Sequence, residues 1–345
     1  MGQNLPSWLH FTGTKWHGAI MKHPRRTFLQ FAGVTAIAPA FSRVVIAQAY
    51  PTRPITMIVP FPGGGPADVV GRVVAERMRK TLGQPIIIEN VSGASGSIGT
   101  GRAARATPDG FTISLGAMGD VMNAAFYSLP YDVLNDFAPI SPLVLYPYIL
   151  FARKTMAAQN LSELIAWLKA NPDKASAGVG GAGPRVVTAL FQKETGTHFT
   201  LVPYRGTSPR LVDLLAGQID LSFGEPDQLP LARAGSIKAY AVTSDARLAV
   251  APDIPSFGEL GQPALSLSNW YGLFAPKGTP RAITGKLHAA AMEALADAAV
   301  RSRLVELGFG VFLREQQTPD ALAALQKADA GKWWPIIKEF GIKAE

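Results

Sequence analysis

Ile55-Thr56-Met57-Ile58-Val59-Pro60-Phe61-Pro62-Gly63-Gly64-Gly65-Pro66-Ala67-Asp68 strings three local preferences together in a fixed order. The first five residues are apolar or β-branched and read as a strand. The segment Pro60–Pro66, rich in proline and glycine, ends it. From about Ala67 the residues Val70, Val74, Met78 and Leu82 recur at i+4 spacing, and Gly83 follows as a stop signal, so an amphipathic helix is predicted there. The unit is therefore strand, glycine-rich loop, helix. It repeats at once, with Ile86-Ile87-Ile88 as strand and Ser92–Gly99 as a second glycine-rich loop leading into another helix. Thr107-Pro108-Asp109-Gly110 reads as a turn and Phe111–Leu115 as a third strand.

Working outward, the pattern restarts beyond Tyr148. A helix over Leu161–Ala170 follows Asn160 as its cap; a third glycine-rich loop, Gly178–Gly183, precedes a helix over Val186–Thr195. Leu201-Val202 reads as a strand, Pro209–Ala216 as a helix, Ile219–Phe223 and Ala239–Val242 as strands. Tyr271–Ala275 is an apolar run fit to return the chain to the first unit, and the tail from Arg281 to Phe340 is mostly helical. Short apolar runs alternating with longer amphipathic ones predict α/β architecture with largely parallel strands. Two α/β lobes with two crossings is the simplest topology. Lobe 1 takes residues 50–151 and 271–345, and lobe 2 takes 152–270. Ligands of open α/β sheets bind outside the carboxyl ends of the strands, so two such ends facing each other make a cleft that can close.

The chain has 345 residues, 48% of them hydrophobic, which is ample for a buried core. Its formal charge of +8 is uneven: the first 49 residues hold Lys15, Lys22, Arg25, Arg26 and Arg43 and no acid, leaving 28 basic residues against 25 acidic. That balance is too mild for a nucleic-acid footprint. Residues 21–49 read as an export signal. Arg25-Arg26 lies in a twin-arginine pattern, an apolar stretch runs from Phe31 to Phe41, and Ala47-Gln48-Ala49 offers a small-x-small cleavage site. Residues 1–20 stay unassigned, translation is expected to begin at Met21, and the mature chain to start near Tyr50. With no cysteine, disulfides, thiolate metal sites, a cysteine nucleophile and a lipidated cysteine are all excluded.

The glycine loops point to anion binding. Without side chains they let the backbone reach a ligand, and the following helix presents N–H groups without internal partners at the positive end of its dipole. A carboxylate, with about four lone-pair positions, suits such a site and needs no arginine. A nucleotide fits poorly. Gly178-Val179-Gly180-Gly181-Ala182-Gly183 matches G-x-G-x-x-G, yet Ala175-Ser176-Ala177 is a poor strand and the next strand ends in Tyr204-Arg205 rather than an acid. Catalysis is short of parts. His198 and His288 are the only histidines after residue 49, far apart and outside any metal-ligand spacing. Asp68, Asp120, Glu225 and Asp227 lie near predicted strand ends; such acids more often cap helices or orient loops, as Asp68 is well placed to do. No catalytic residue, metal or cofactor is expected.

The same residues carry a family resemblance. Val59–Asp68 resembles the VPFPAGGxxD segment of the Bug family, the extracytoplasmic receptors of tripartite tricarboxylate transporters. The likeness continues through Glu89-Asn90, Pro108-Asp109-Gly110, Leu129-Pro130-Tyr131-Asp132, Val202-Pro203-Tyr204-Arg205-Gly206, Trp270-Tyr271-Gly272 and Ala275-Pro276-Lys277-Gly278-Thr279-Pro280. It implies a periplasmic binding protein of the flytrap type, a monomer, exported, soluble and not lipidated. It would capture a di-, tri- or aromatic carboxylate or an acidic amino acid and deliver it to two integral-membrane subunits. By that resemblance, Phe61, Pro62, Gly63, Gly64, Gly65 and Asp68 in the first loop and Ser95, Gly96 and Ser97 in the second hold a ligand carboxylate. Asn123 adds a polar contact from the loop after the third strand, and Gly183, Arg185 and Tyr204 contribute from lobe 2. The sequence departs from the family's G-S-x-x-H at Ala182 and Arg185. Arg185 either grips a second anionic group or an aromatic face of the ligand, or points to solvent. A receptor feeding a sensor kinase and an exported hydrolase or isomerase remain alternatives.

Overall fold

The computed structural model describes residues 50–339 and Gly341. The predicted signal and the upstream segment lie outside the described residues. The first half of the chain runs β1 (Ile55–Val59), α1 (Pro66–Leu82), β2 (Ile86–Asn90), α2 (Ser97–Ala104), β3 (Thr112–Ala117), α3 (Met118–Phe126) and β4 (Phe137–Pro147). A second set follows: β5 (Ile149–Arg153), α4 (Leu161–Ala170), β6 (Ser176–Val179), α5 (Ala182–Thr195), β7 (Thr200–Pro203), α6 (Thr207–Ala216), β8 (Leu221–Gly224), α7 (Leu229–Arg233) and β9 (Ile237–Val242). The chain closes with β10 (Ser268–Pro276), α8 (Arg281–Ala296), α9 (Ala298–Glu306), β11 (Gly310–Val311) and α10 (Pro319–Glu339).

The strands form two sheets, one ordered β11-β4-β10-β3-β1-β2 and the other β7-β6-β8-β5-β9. Parallel pairing is confined to β2-β1-β3 and β7-β6-β8; β10 and β5 run antiparallel to both of their neighbours. The sheets are therefore mixed rather than largely parallel. The reason is the pair of crossings, because each sheet receives a strand from a chain returning out of the other.

Ala175-Ser176-Ala177, a poor strand by propensity, runs into β6, which sits inside the second sheet between β7 and β8. Pairing on both edges overrides its weak intrinsic preference. Tight packing demands its small residues: a Cβ on Gly178 would come within 2.8 Å of the Arg210 side chain. β4 carries Pro139, Pro142 and Pro147 and gives little strand signal. It nonetheless pairs along β10, with register shifts at Tyr271/Gly272 and Leu273/Phe274. Irregularities of this kind are where a strand accommodates prolines, which have no N–H for the ladder.

α1 shows how sequence sets an element here. Pro66 stands at its start and Gly83 closes it in the left-handed conformation (φ 69°), returning its N–H to the Arg79 carbonyl. Its Val70, Val74 and Met78 face is buried, and Arg77 reaches Asp297 at 2.9 Å, next to α8. α10 braces α3, with the Trp334 indole donating to the Val121 carbonyl at 2.7 Å.

The crossings are linked to each other. The first falls at Tyr148, ahead of the 151/152 boundary; the second joins β9 to β10, which already lies in the first sheet from Ser268 onward. Thr243 ties the two together. Its N–H donates to the Tyr148 carbonyl and its hydroxyl accepts from the Tyr148 N–H, both at 2.8 Å. The same hydroxyl donates to the Leu267 carbonyl at 2.8 Å, and the Leu267 N–H returns to the Thr243 carbonyl at 2.9 Å. No helix among the described residues is long and apolar enough to cross a membrane.

Gly99 tests how closely α2 seats on the end of the first sheet. A methyl there would collide with the Val91 carbonyl oxygen and stand 2.9 Å from the Pro60 Cα, both backbone atoms that cannot rotate away. Gly99→Ala should cost about 1–3 kcal/mol. By thermal melting that is a fall of roughly 2–5 °C for a folded region of this length, and an unchanged melting temperature would contradict this close seating.

Candidate binding cleft

The first glycine loop is held from within. Asp68 is buried on the first turn of α1 and accepts the Gly64 N–H and the Arg72 Nε–H, each at 2.9 Å. The Asn90 amide donates to Asp68 Oδ1 and to the Phe61 carbonyl, both at 3.1 Å. Burial opposes the charge on Asp68. The hydrogen bonds from Arg72, Gly64 and Asn90 outweigh it and hold the carboxyl below its usual range.

The second loop is shaped by positive φ at Gly93 (131°), Ala94 (43°), Ser95 (53°) and Gly96 (99°). At Gly96 only glycine fits easily, since a Cβ would meet the Pro60 carbonyl at 3.3 Å and the Phe61 ring at 3.4 Å. Asn123 is fully buried and its amide donates to the Ser95 carbonyl at 3.0 Å. Asp120 accepts the Ala117 N–H and the Thr100 hydroxyl, both at 2.8 Å. Burial raises its pKa to about 6 despite those two bonds.

Between the sheets lies a cavity enclosing about 500 Å³ of empty space, including its mouth. Five helical starts reach it. They are Gly65-Pro66-Ala67 of α1, Ser95 in the turn before α2, Ala117 and Gly119 of α3, Gly181–Pro184 of α5, and Thr207 of α6. The first turns of α1, α3, α5 and α6 supply N–H groups for which the helix itself has no acceptor. Among the described residues, no lysine or arginine lines the cavity.

Side chains complete the wall. Asn269 Oδ1 accepts the Trp270 N–H at 2.8 Å, so its amide nitrogen faces the Tyr146 and Tyr148 hydroxyls at 2.6 and 2.8 Å. Both hydroxyl oxygens are acceptors there, and their protons are left to donate elsewhere. Burial pushes both phenols well above their usual range, so they stay protonated. On the second sheet, Glu225 lines the cavity and accepts from Thr207 Oγ1 (3.1 Å), Arg210 Nη2 (3.0 Å) and Gln228 Nε2 (3.0 Å). Arg210 is wholly buried and also donates to the Phe223 carbonyl at 2.7 Å.

Of the residues singled out in the sequence, Phe61, Pro62, Gly65, Ser95 and Gly183 line the cavity. Gly63, Gly64, Asp68 and Gly96 do not; they shape the loops behind it. The half-buried Ser97 donates its hydroxyl back to the Ala94 carbonyl at 2.8 Å. Asn123 sits on α3 rather than in a loop, and it clamps the second glycine loop. Arg185 is buried on the first turn of α5, which rules out the solvent-facing alternative, and it is not part of the cavity wall. Tyr204 is likewise absent from the wall; its hydroxyl donates to Asp213 Oδ2 at 2.6 Å. Tyr146, Tyr148, Asn269, Tyr271, Thr207 and the start of α3 were missed. Glu225 was noted only as an acid near a strand end. The signal available was position, since each sits at the end of a strand or the beginning of a helix. Gly178–Gly183 does follow a strand and open a helix, contrary to expectation, though no acid ends β7. His198 is exposed beside Asp173, and His288 bonds to the Ile140 carbonyl; neither lines the cavity. Among the described residues no group of histidines and acids could hold a metal ion.

Three comparisons bear on this geometry. Residues 70–342 match the family model described as tripartite tricarboxylate transporter family receptor. The chain is 33% identical over 321 residues to protein BugT of Bordetella pertussis, covering 91% of this chain and 98% of that one. It superposes with TM-score 0.82 on the periplasmic binding protein BugD, at 37% identity, covering 86% of this chain and all of BugD. It superposes with TM-score 0.80 on MatC of Rhodopseudomonas palustris with bound malate, at 37% identity, covering 84% of this chain and all of MatC.

Beside Glu225, the Asp227 Oδ1 is shut off from solvent without a hydrogen-bond partner. Burial, and next the charge of Glu225, raise its pKa to about 7. The folded state therefore binds this proton more tightly than the unfolded chain, and stability falls as pH rises from about 4 through 7. Asp227→Asn should match the parent protein near pH 4 and become progressively more stable than it up to pH 7.5. Denaturant titrations at several pH values would measure this; a stability difference that does not grow with pH contradicts the assignment.

Proposed function

The chain belongs to the tripartite tricarboxylate transporter receptor family, and from that membership we propose that its cleft captures a small organic carboxylate for delivery to integral-membrane transporter subunits. One observation carries the reading: helix starts from both sheets converge on one cavity that, among the described residues, has no basic side chain in its wall. Fixed N–H dipoles stabilise a carboxylate without a mobile cation, and they hold no counter-charge that must be removed before binding. That a relative, MatC, has been solved with bound malate supports the same ligand class here.

In this reading β1–β4 with β10 and β11 form one lobe, β5–β9 the other, and the two crossings at Tyr148 and Thr243–Leu267 form the hinge. The lobes are already in contact across the cleft mouth: a Cβ on Gly206 would lie 2.7 Å from Pro62 Cδ. Magnitudes explain why both lobes are needed. A hydrogen bond to a charged group contributes roughly 1.5–3 kcal/mol net. Association costs about 4–15 kcal/mol in lost freedom. Two or three N–H bonds from one lobe barely offset that cost, so tight binding requires donors from the second, and the ligand itself biases the closed state. Release to a transporter calls for a Kd near micromolar, about −8 kcal/mol. The receptor works as an exported, unlipidated monomer, and it binds without turnover.

Gly183 offers a direct test. A methyl on it would overlap the Tyr148 hydroxyl across the cavity. Gly183→Ala should leave the unliganded protein folded and weaken carboxylate binding at least tenfold by calorimetry. The reading fails if the parent protein binds no member of a carboxylate panel, or if it binds the neutral diamides of those acids equally well.

A further inference from the structure

Among the described residues, Glu225 is the only acidic side chain in the wall of the cavity, whose other polar side chains are hydroxyls and the Asn269 amide. It is 5% exposed and cannot swing out into water. An ionised carboxylate has about four acceptor positions. Arg210 and Gln228 take two at Oε2, and Thr207 takes one at Oε1. Arg210 approaches from the protein interior, whereas Thr207 itself lines the cavity. The remaining position is on Oε1, the oxygen that the cavity-lining Thr207 also holds, on a side chain that itself lines the cavity. Of the three donors, Arg210 supplies the countercharge and keeps Glu225 tenable as an anion in a buried place.

A second carboxylate of a ligand placed against this oxygen would meet like charge and would offer it no proton. A hydroxyl or ammonium placed there would complete its hydrogen bonding. Sites that hold an unpaired buried polar group discriminate strongly against analogues unable to pair with it. Resting on the carboxylate reading of the cleft, we propose that Glu225 is a specificity-determining residue that accepts a hydrogen bond from a hydroxyl or ammonium on the ligand. The preferred ligands are accordingly hydroxy- or amino-substituted carboxylates. The helix starts read the carboxylate, and Glu225 reads the substituent beside it.

The test is calorimetric titration of the parent protein with matched series: propionate, lactate and alanine; succinate, malate and aspartate; glutarate, 2-hydroxyglutarate and glutamate. Within any series that binds, the hydroxy or amino member should bind at least tenfold more tightly than the unsubstituted acid. The two substituted members show which donor is preferred. In Glu225→Gln, which retains an acceptor for Arg210, that ratio should shrink to threefold or less. Equal affinity within a binding series of the parent protein overturns the proposal while leaving the carboxylate reading intact, and needs no variant to fold. A ratio unchanged in a folded Glu225→Gln also overturns it and would assign Glu225 to holding Arg210 alone. If neither these series nor a matched tricarboxylate pair (tricarballylate and citrate) and aromatic pair (benzoate and 4-hydroxybenzoate) bind at all, the carboxylate reading fails and the proposal falls with it.

Discussion

Every α-helix begins with N–H groups that its own backbone cannot satisfy, and burying them without partners costs free energy comparable to a lost hydrogen bond. In this protein the starts of α1, α3, α5 and α6 are directed at one space between two sheets. The parallel strands make that arrangement unavoidable, because a helix following a strand begins at the strand's carboxyl end. Setting two sheets with those ends facing concentrates unsatisfied donors in the gap. The preference of the gap for a hydrogen-bond acceptor is thus a property of the backbone topology before any side chain is considered.

Side chains then make the gap specific and keep the loops in place. Asp68, Asn90, Asp120 and Asn123 each make a hydrogen bond to local backbone: the Gly64 and Ala117 N–H groups and the Phe61 and Ser95 carbonyls. They hold donors in position and do not compete for the ligand. The second sheet contributes a buried ion pair, Arg210 with Glu225, at a place where the first contributes tyrosine hydroxyls steered by Asn269. Both walls present helix-start N–H groups, and the second adds an acidic side chain that the first lacks. A buried pair of this sort is a costly way to gain stability, and its carboxylate partner stands in the cavity wall.

The links between the sheets are concentrated in a small region. Tyr148 and Thr243 exchange two hydrogen bonds, and Thr243 and Leu267 exchange two more, so the two crossings are tied to each other. Tyr148 also lines the cavity with its hydroxyl beside Gly183 of α5. One residue therefore stands both at a crossing and in the cavity wall.

Local chemistry made the binding side of the first sheet legible. Pro62, Gly65 and the helix stop at Gly83 announce a strand, a turn and a helix by their backbone preferences alone, and such preferences act over a few residues. The family resemblance of Val59–Asp68 and of later motifs rested on the same short stretches. Asn123 and Arg185 fared differently. Sequence placed each near a glycine loop, but whether a side chain faces a cavity, a neighbouring loop or the core depends on helix rotation and on what packs behind it. β6 and β4 were obscured for a related reason: Ala175–Ala177 and the prolines of β4 carry weak strand preference, and their pairing is imposed by neighbours distant in the chain. Tyr146, Asn269 and Glu225 come from three separate strand ends, and no spacing in the sequence relates them. The amino-acid order by itself determined an anion-seeking α/β chain, because loop and cap chemistry is local. Only the tertiary structure decided which side chains line the cavity, because that depends on how two sheets face each other across the crossings.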